Sequence, residues 1–243
     1  MVRPRLFVPL IALLLLGAAR LPAQAGPTLE QILSAPFPSE LLTAPVGGKL
    51  AWVQNTRGVH NIWVAEPPEY RGRQVTRYDK DDGQAISGLE WAPDARTLVY
   101  LRGSGPNGRG EIPNPTSDPA GAELAVWRIA LDAGGGGGGT GEPVKIGVGS
   151  GAVISPKGDE VAFVRGGQIW EAPLDGSREP QQWVHARGSA RSLRWSSDGS
   201  RLAFVSGRGD HNFIGLYEPA TKTLHWIAPS VDQDDEPVWS PDG

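Results

Sequence analysis

A four-residue turn, clearest in the form Ser-Pro-Asp-Gly, recurs along the chain and limits its possible folds more than any other feature. It occurs in VWSPDG, RWSSDGSRLAFV, VISPKGDEVAFV, EWAPDARTLVYL and, more loosely, TAPVGGKLAWV. We take the last residue of each turn as the reference position of its unit, which gives Gly47, Ala95, Gly158, Gly199 and Gly243. The units are then 48, 63, 41 and 44 residues apart, and spacings of this size are typical of β-propeller blades. Because Asp-Gly favours a tight hairpin, each turn is predicted to join two antiparallel strands.

The sequence after each complete turn predicts three more strands per unit. The second strands are LAWV, LVYL, VAFV and LAFV, the third are NIWVAE, AVWRIA, QIWEAP and FIGLYE, and the fourth are RQVTRY, PVKIGV, QQWVHA and LHWIAP. In the last unit Leu202 and Phe204 point to one face while Ala203 and Val205 point to the other, so both faces are apolar. Stacked blades cover both faces of a sheet, and a sandwich covers one. We therefore predict an all-β fold, a β-propeller of four-stranded antiparallel blades, with four blades plus the start of a fifth that is truncated.

The first 25 residues have the features of a secretory signal peptide. Arg3 and Arg5 precede an apolar stretch, 6–19, and small residues at 23 and 25 suit signal cleavage. An uncleaved membrane anchor is the second interpretation, because the apolar stretch is too short to span a bilayer comfortably. We expect an exported protein, periplasmic or secreted, with no membrane span after cleavage.

The repeat and the signal together predict the domain boundaries. Thr28 and Gln31 form a capping-box pattern that predicts a short helix before the propeller. The predicted domains are a signal peptide (1–25), an N-terminal segment with this helix (26–38) and a partial propeller (39–243). The approximate blade bounds are 39–79, 87–149, 151–186 and 190–230, with the next blade starting at 236–243.

Composition excludes several classes of function. The formal net charge is −4 and becomes −7 once the three arginines of residues 1–25 are removed, which argues against a nucleic-acid partner. The chain has no cysteine, so disulfides, thiolate zinc sites and thiol catalysis are excluded. Stability must then come from packing.

Two segments interrupt the repeat. The unit spacing of 63 is explained by an insertion, residues 103–124, between the second and third strands of the second unit. Its GSGPNG resembles a dinucleotide motif, but Pro106 and the following EIPNP prevent the helix that such a site needs. The glycine run at 134–139 is interpreted as a long turn, and no cofactor is predicted.

The loops between second and third strands share an Arg-Gly pair. NTRGVHN at 55–61 and SGRGDHN at 206–212 both contain Arg-Gly-x-His-Asn, and the other two units also have Arg-Gly there. One interpretation is a turn in which Gly is left-handed and Asn or His caps backbone groups. The other is that the arginines ring one mouth of the propeller and meet carboxylates of a substrate or partner domain. The candidate substrate-facing or partner-facing residues are Arg57, His60, Arg102, Arg165, Arg208, Asp210 and His211.

Neither a metal site nor a catalytic site is predicted from the residues. Asp79, Asp81 and Asp82 resemble part of a calcium loop, but the glycine falls one position early and a ligand is missing, so a solvated loop is the better interpretation. The histidines lack metal-ligand spacing. No G-x-S-x-G nucleophile elbow occurs.

The order TLEQILSAPFPSELLTAP, LAWV, RGVHNIWVA and EIPNPTSDPAGAE, together with the hairpins, resembles the N-terminal propeller of a bacterial serine peptidase of the prolyl oligopeptidase family. The dipeptidyl-peptidase IV and acylaminoacyl-peptidase branches are the most similar. The resemblance implies a substrate-gating propeller of an exported peptidase that acts on short peptides. The resemblance also implies a partner, a C-terminal α/β-hydrolase domain of the same full-length protein that would supply Ser, Asp and His. The alternative is a non-enzymatic periplasmic propeller that scaffolds protein–protein interactions.

Overall fold

The computed structural model describes residues 26–131 and 141–241. The predicted signal peptide and the glycine run at 134–139 lie outside the described residues. The segment up to Leu33 and the residues from Ser34 onward form two separate units. None of the helices in the described part is long and apolar enough to cross a membrane.

The first unit contains the predicted short helix, α1, at Leu29–Leu33. Its start is a reciprocal capping box, because the backbone N–H of Gln31 donates to Thr28 Oγ1 at 3.1 Å and that of Thr28 donates to Gln31 Oε1 at 2.8 Å. These two bonds satisfy donors that a helix N-terminus leaves free, so the predicted cap is confirmed.

The second unit consists of four antiparallel sheets of four strands each, and the predicted fold class is confirmed. Within each sheet, strands that follow one another in the chain are neighbours. Blade 1 has β1 Phe37–Thr43, β2 Leu50–Thr56, β3 Val59–Ala65 and β4 Arg73–Gln74. Blade 2 has β5 Ile86–Trp91, β6 Thr97–Arg102, β7 Ala125–Ala130 and β8 Val144–Val148. Blade 3 has β9 Ser150–Ile154, β10 Glu160–Arg165, β11 Gln168–Pro173 and β12 Gln181–Val184, and blade 4 has β13 Ser189–Trp195, β14 Leu202–Gly207, β15 Asn212–Glu218 and β16 Thr223–Ile227.

One predicted strand is much shorter than its sequence suggests. RQVTRY predicts a fourth strand over 73–78, but β4 ends at Gln74. The Thr76 hydroxyl accepts a hydrogen bond from the backbone N–H of Ile62 at 2.8 Å, in the place of a ladder carbonyl. A side chain therefore replaces one of the two ladder bonds at Ile62, while the N–H of Val75 still donates to the carbonyl of Ile62 at 2.8 Å.

Three apolar clusters join the four blades. The first lies between blades 1 and 2, the second between blades 2 and 3, and the third between blades 3 and 4. Leu202, Ala203, Phe204 and Val205 are all at most 3% exposed, so both faces of β14 are buried, as the alternation predicts. The blades hold together through two-sided burial of their sheets.

A β-bulge recurs in the first strand of every blade, and the sequence did not reveal it. Seven residues before the reference position, the backbone is left-handed at Glu40, Gly88, Gly151 and Ser192, with φ of 55°, 58°, 58° and 53°. The pairing between first and second strands shifts register at each of these sites. An extra residue of this kind bends the first strand and increases its twist.

Candidate functional site

The Arg-Gly loops lie at the opposite end of the second strands from the hairpin turns. β14 begins after the turn at 196–199 and ends before Arg208, and β2 likewise ends before Arg57. Since the second strands take equivalent places in their blades, the four loops lie at one end of the sheets. This is the arrangement that the predicted order of strands requires.

Three of the four predicted arginines stack on aromatic rings. The guanidinium of Arg102 lies 4.1 Å from the Tyr78 ring centre and also pairs with Asp82. Arg165 lies 4.8 Å from the ring of Trp170. Arg208 lies between two rings, 4.5 Å from Phe213 and 4.9 Å from Trp226. Such stacking is a cation–π contact that holds the charge in place while leaving the edge of the guanidinium able to donate.

The loop of blade 1 is a tight turn closed by its neighbours. Arg57 is left-handed with φ of 54°, and the N–H of Gly58 donates to Asn55 Oδ1 at 2.8 Å. A Cβ on Gly58 would lie 2.1 Å from Asp81 Oδ2, so this position has no space for a side chain. This geometry fits the turn interpretation, in which Asn caps a free backbone group.

The repeated Asn of the Arg-Gly-x-His-Asn motif connects each loop to the segment after the fourth strand. Asn61 is buried; its Nδ2 donates to the carbonyl of Tyr78, and its Oδ1 accepts from the N–H of Tyr78, both at 2.9 Å. The buried Asn212 contacts the side chain of Gln233, and its backbone N–H donates to the carbonyl of Asp232 at 3.2 Å. The two asparagines therefore hold equivalent segments of blades 1 and 4 against their loops. The motif was recognised in the sequence, but this role of its asparagine was not.

The histidines of the motif differ in their surroundings. His211 Nδ1 lies 2.7 Å from Asp210 Oδ1, and this hydrogen bond lowers the pKa of Asp210 below its ordinary value. Asp210 is 90% exposed at its side chain, so the pair faces solvent. His60 Nδ1 is buried and has no hydrogen-bond partner among the described residues.

The insertion 103–124 is irregular chain that packs against the connection between blades 1 and 2. Pro115 packs on Gly83, where a Cβ would lie 2.2 Å from the Pro115 ring. The insertion and the blade line an open pocket with a volume of about 140 Å³, whose lining includes Asp82, Arg102, Asp118, Glu123 and Trp127. Arg102 thus faces a small polar pocket at the loop end of the blades.

No metal centre is formed by the described residues. Ranges 26–131 and 141–241 contain no group of three or more His, Asp or Glu side chains that could hold an ion. Asp82 of the predicted acidic loop is paired with Arg102, and its Oδ1 accepts the N–H of Gln84 at 3.0 Å.

Two carboxylates that are withdrawn from solvent, the partly buried Glu90 and the fully buried Glu171, were not evident from the residue pattern. Glu90 on β5 accepts the N–H of Ile154 on β9 at 3.3 and 3.4 Å, which connects blade 2 to blade 3. Burial raises the pKa of Glu90 to about 7, and the Ile154 N–H and the charge of Arg194 offset only part of that effect. Glu171 on β11 is fully buried, and its two oxygens accept from Arg178 Nη2 at 2.6 and 2.7 Å.

No family model matches the chain, and no curated protein sequence matches it. Solved structures match its fold. The β-propeller domain of the trilobed protease from Pyrococcus furiosus, described as having an open velcro topology, has a TM-score of 0.52 and 16% identity over 78% of this chain and 57% of its own. Pyrococcus horikoshii acylaminoacyl peptidase has a TM-score of 0.51 and 19% identity over 78% of this chain and 32% of its own.

A protein of another kind shares the fold. TolB from Acinetobacter baumannii has a TM-score of 0.51 and 15% identity over 80% of this chain and 44% of its own. The chain thus spans between 32% and 57% of the length of these three proteins. At these identities the similarity is one of fold, and the fold of this chain is that of the β-propeller domains of prolyl oligopeptidase-family peptidases, shared also with TolB.

Proposed function

We propose that the chain is the substrate-gating propeller of an exported serine peptidase that acts on short peptides. The catalytic α/β-hydrolase domain belongs to a longer polypeptide of which this chain is a part. The observation that carries the proposal is the stack of four four-stranded blades, similar to the propellers of two peptidases. The resemblance of the sequence to the same peptidase family, including its dipeptidyl-peptidase IV branch, supports it independently.

In this proposal the loop end of the blades faces the substrate or the catalytic domain. Arg57, Arg102, Arg165 and Arg208 ring that end, and the stacked arginines meet carboxylates of peptides or of the partner domain. Stacking supports this role, because a guanidinium held on a ring loses less freedom when it binds a carboxylate. His60, Asp210 and His211 belong to the same loops and are proposed to contact the same partner.

The first test is covalent labelling of the longer protein. Peptide hydrolysis by a serine peptidase needs an activated nucleophile, a base and oxyanion donors held together. We expect a serine-reactive phosphonate to label the longer protein once, in a G-x-S-x-G sequence outside residues 1–243, and to leave this chain unlabelled. A longer protein that takes no label, with an active serine peptidase as positive control, would contradict the proposal.

The second test concerns Arg208. In the longer protein Arg208→Ala should raise KM for short peptides about tenfold, as expected for one lost charged hydrogen bond, with only a small fall in melting temperature from the lost ring contacts. The matched control is Arg201→Ala, because Arg201 precedes β14 at its hairpin end and pairs with Glu218 at 3.0 Å. An unchanged KM together with a lower melting temperature for Arg208→Ala would favour the structural turn interpretation.

A non-enzymatic scaffold is the second candidate function, and the similarity to TolB favours it. The two candidates differ in what the longer protein contains. A polypeptide that ends soon after its last blade and cleaves no peptide would make the scaffold the better explanation.

A further inference from the structure

The two rings that hold Arg208 lie on the face of blade 4 that meets blade 3. Phe213 and Tyr217 are both on β15 with an even spacing, so their side chains share one face of the sheet. Tyr217 belongs to the apolar cluster between blades 3 and 4. Trp226 packs on Phe204 of the same cluster, with ring centres 5.8 Å apart. Arg208 is therefore held at a contact between two blades whose four strands are all described.

The guanidinium of Arg208 has donors left for a ligand. Its Nε is buried and has no hydrogen-bond partner among the described residues. Its two Nη groups reach solvent, and they too make no hydrogen bond or ion pair within the described part of the chain. Because the charge is already fixed on two rings, little freedom is lost when it binds an anion.

A second arginine, Arg187, lies directly beside Arg208 in the connection from blade 3 to blade 4. Ser206 Oγ donates to the carbonyl of Arg187 at 2.8 Å. A Cβ on Gly188 would lie 3.1 Å from Arg208 Cγ, so the connection packs on the end of β14. Arg187 is exposed, and its side chain forms no ion pair with any residue that the structure describes.

The surroundings of Asp210 show that a carboxylate is stabilised next to Arg187. The hydrogen bond from His211 is the main cause of the lowered pKa of Asp210, and the positive charge of Arg187 adds to it. The side chain of Asp210 is 90% exposed, so this place is open to solvent. Asp210 is bonded to His211 and leaves the Nη groups of Arg208 without an acceptor.

Two adjacent guanidinium groups with free donors suit a carboxylate. The planar fork of a guanidinium presents parallel N–H groups that match the two oxygens of a carboxylate. The end of a short peptide is small enough to reach between two side chains, and the rings of Phe213 and Trp226 offer an apolar contact to the residue next to the carboxylate.

We propose that Arg187 and Arg208 together bind one carboxylate of a short peptide. Arg187 lies outside the repeated Arg-Gly motif, so the motif did not indicate it. The choice of a peptide rests on the proposed function, whereas the carboxylate site rests on the contacts of the two arginines. The carboxylate comes from the C-terminus of the peptide or from an acidic side chain, and the experiment separates these two sources.

NMR titration of the full 243-residue chain with three peptides tests the site. The peptides are acetyl-Ala-Ala-Ala with a free C-terminal carboxylate, its C-terminal amide, and acetyl-Ala-Glu-Ala-amide, whose only carboxylate is on a side chain. We expect the first peptide to bind at least about tenfold more tightly than its amide, as hydrogen bonds between charged groups require. Binding of the third peptide with the affinity of the first would support the carboxylate site and show that it also accepts acidic side chains.

Variants of Arg187 locate the site. Arg187→Gln should remove the preference for the carboxylate, and Arg187→Lys, which keeps the charge, should restore part of it. Arg71→Gln is the matched control, because Arg71 is exposed and follows β3 at the hairpin end of blade 1. All three variants should keep the melting temperature of the parent chain. Equal binding of the acid and the amide to the parent chain, or a preference that survives Arg187→Gln, would overturn the proposal.

Cleavage by the longer protein distinguishes this proposal from the proposed function. For two peptides that share one cleavable bond and differ only in a free or amidated C-terminus, we expect a KM about tenfold lower for the free acid. Cleavage of neither peptide, with the binding preference retained by the chain, would contradict the peptidase and support the carboxylate site. Equal KM values for the two peptides, with equal binding to the chain, would overturn the carboxylate site and leave the peptidase supported.

Discussion

Replacement of Phe163 by Ala should lower the free energy of unfolding by about 3–5 kcal/mol, while the same change at Trp52 should cost only about 1 kcal/mol. Both residues lie five positions after the reference position of their unit. Phe163 is 0% exposed between blades 2 and 3, and Trp52, whose face meets no preceding blade among the described residues, is half-buried and stacked on Trp63.

The surroundings of Phe163 explain the size of the expected loss. A Cβ on Gly149 would lie 2.6 Å from its ring and one on Gly147 would lie 3.0 Å away, so two backbone segments close on the ring. Backbone held by β-strands relaxes little, and the cavity left by Phe163→Ala would stay open. Urea unfolding followed by far-ultraviolet circular dichroism measures both variants. An equal loss for Phe163→Ala and Trp52→Ala would mean that contact with a preceding blade does not determine the contribution of this position.

Replacement of Glu90 by Gln should remove a pH dependence of stability between about pH 4.5 and 7. The pKa of Glu90 is about 7 in the fold, against 4.5 for the free side chain. The folded state therefore binds this proton more tightly than the unfolded state does. Its contribution is fully present below pH 4.5 and is lost as the pH rises through 7, by about 3 kcal/mol in total.

The amide that Glu90→Gln introduces would stay neutral at every pH and could still accept the N–H of Ile154. We expect Glu90→Gln to match the parent chain at pH 4 and to exceed its stability by up to about 3 kcal/mol at pH 8. Glu69→Gln, at an exposed position, is the matched control and should leave the pH dependence unchanged. A Glu90→Gln variant that is less stable than the parent at pH 8 would show that the charged carboxylate stabilises the contact between blades 2 and 3.

The repeat was predictable because each hairpin is encoded locally. Turn chemistry, alternation of apolar residues and unit spacing all lie within short segments, and they were sufficient to predict four-stranded antiparallel blades. The capping box of α1 was predictable for the same reason, since Thr28 and Gln31 are three residues apart. Local signals of this kind do not depend on which blade packs against which.

Features that depend on contacts made only in the folded chain were not predictable. The bulge was missed because Glu40 and Ser192 take a left-handed conformation that their residue types do not suggest, and only Gly88 and Gly151 fit the usual preference. Glu90 and Glu171 read as surface acids, since their partners Ile154 and Arg178 become evident only in the fold. The stacking of Arg208 on Trp226 joins positions on different strands of blade 4, so the motif alone did not indicate it.

In the candidate site, too, the local features were predictable from the sequence and the long-range contacts were not. The Arg-Gly pairs were visible in the sequence, and their position at the end of the sheets opposite the hairpins follows from the strand order. The pocket beside Arg102 was not visible, because it needs Pro115 of the insertion to pack on Gly83. The packing of an irregular loop against a distant segment of the chain cannot be recognised from the residues of the loop alone.

The size limit on substrates of the longer protein is the most direct test of a gating propeller. The measurement is the rate of cleavage of a short chromogenic peptide and of a large folded protein that contains the same cleavable sequence in an exposed loop. The account predicts rapid cleavage of the short peptide, abolished by the phosphonate, and no detectable cleavage of the folded protein. Equal rates for the two substrates, or cleavage of neither, would contradict it.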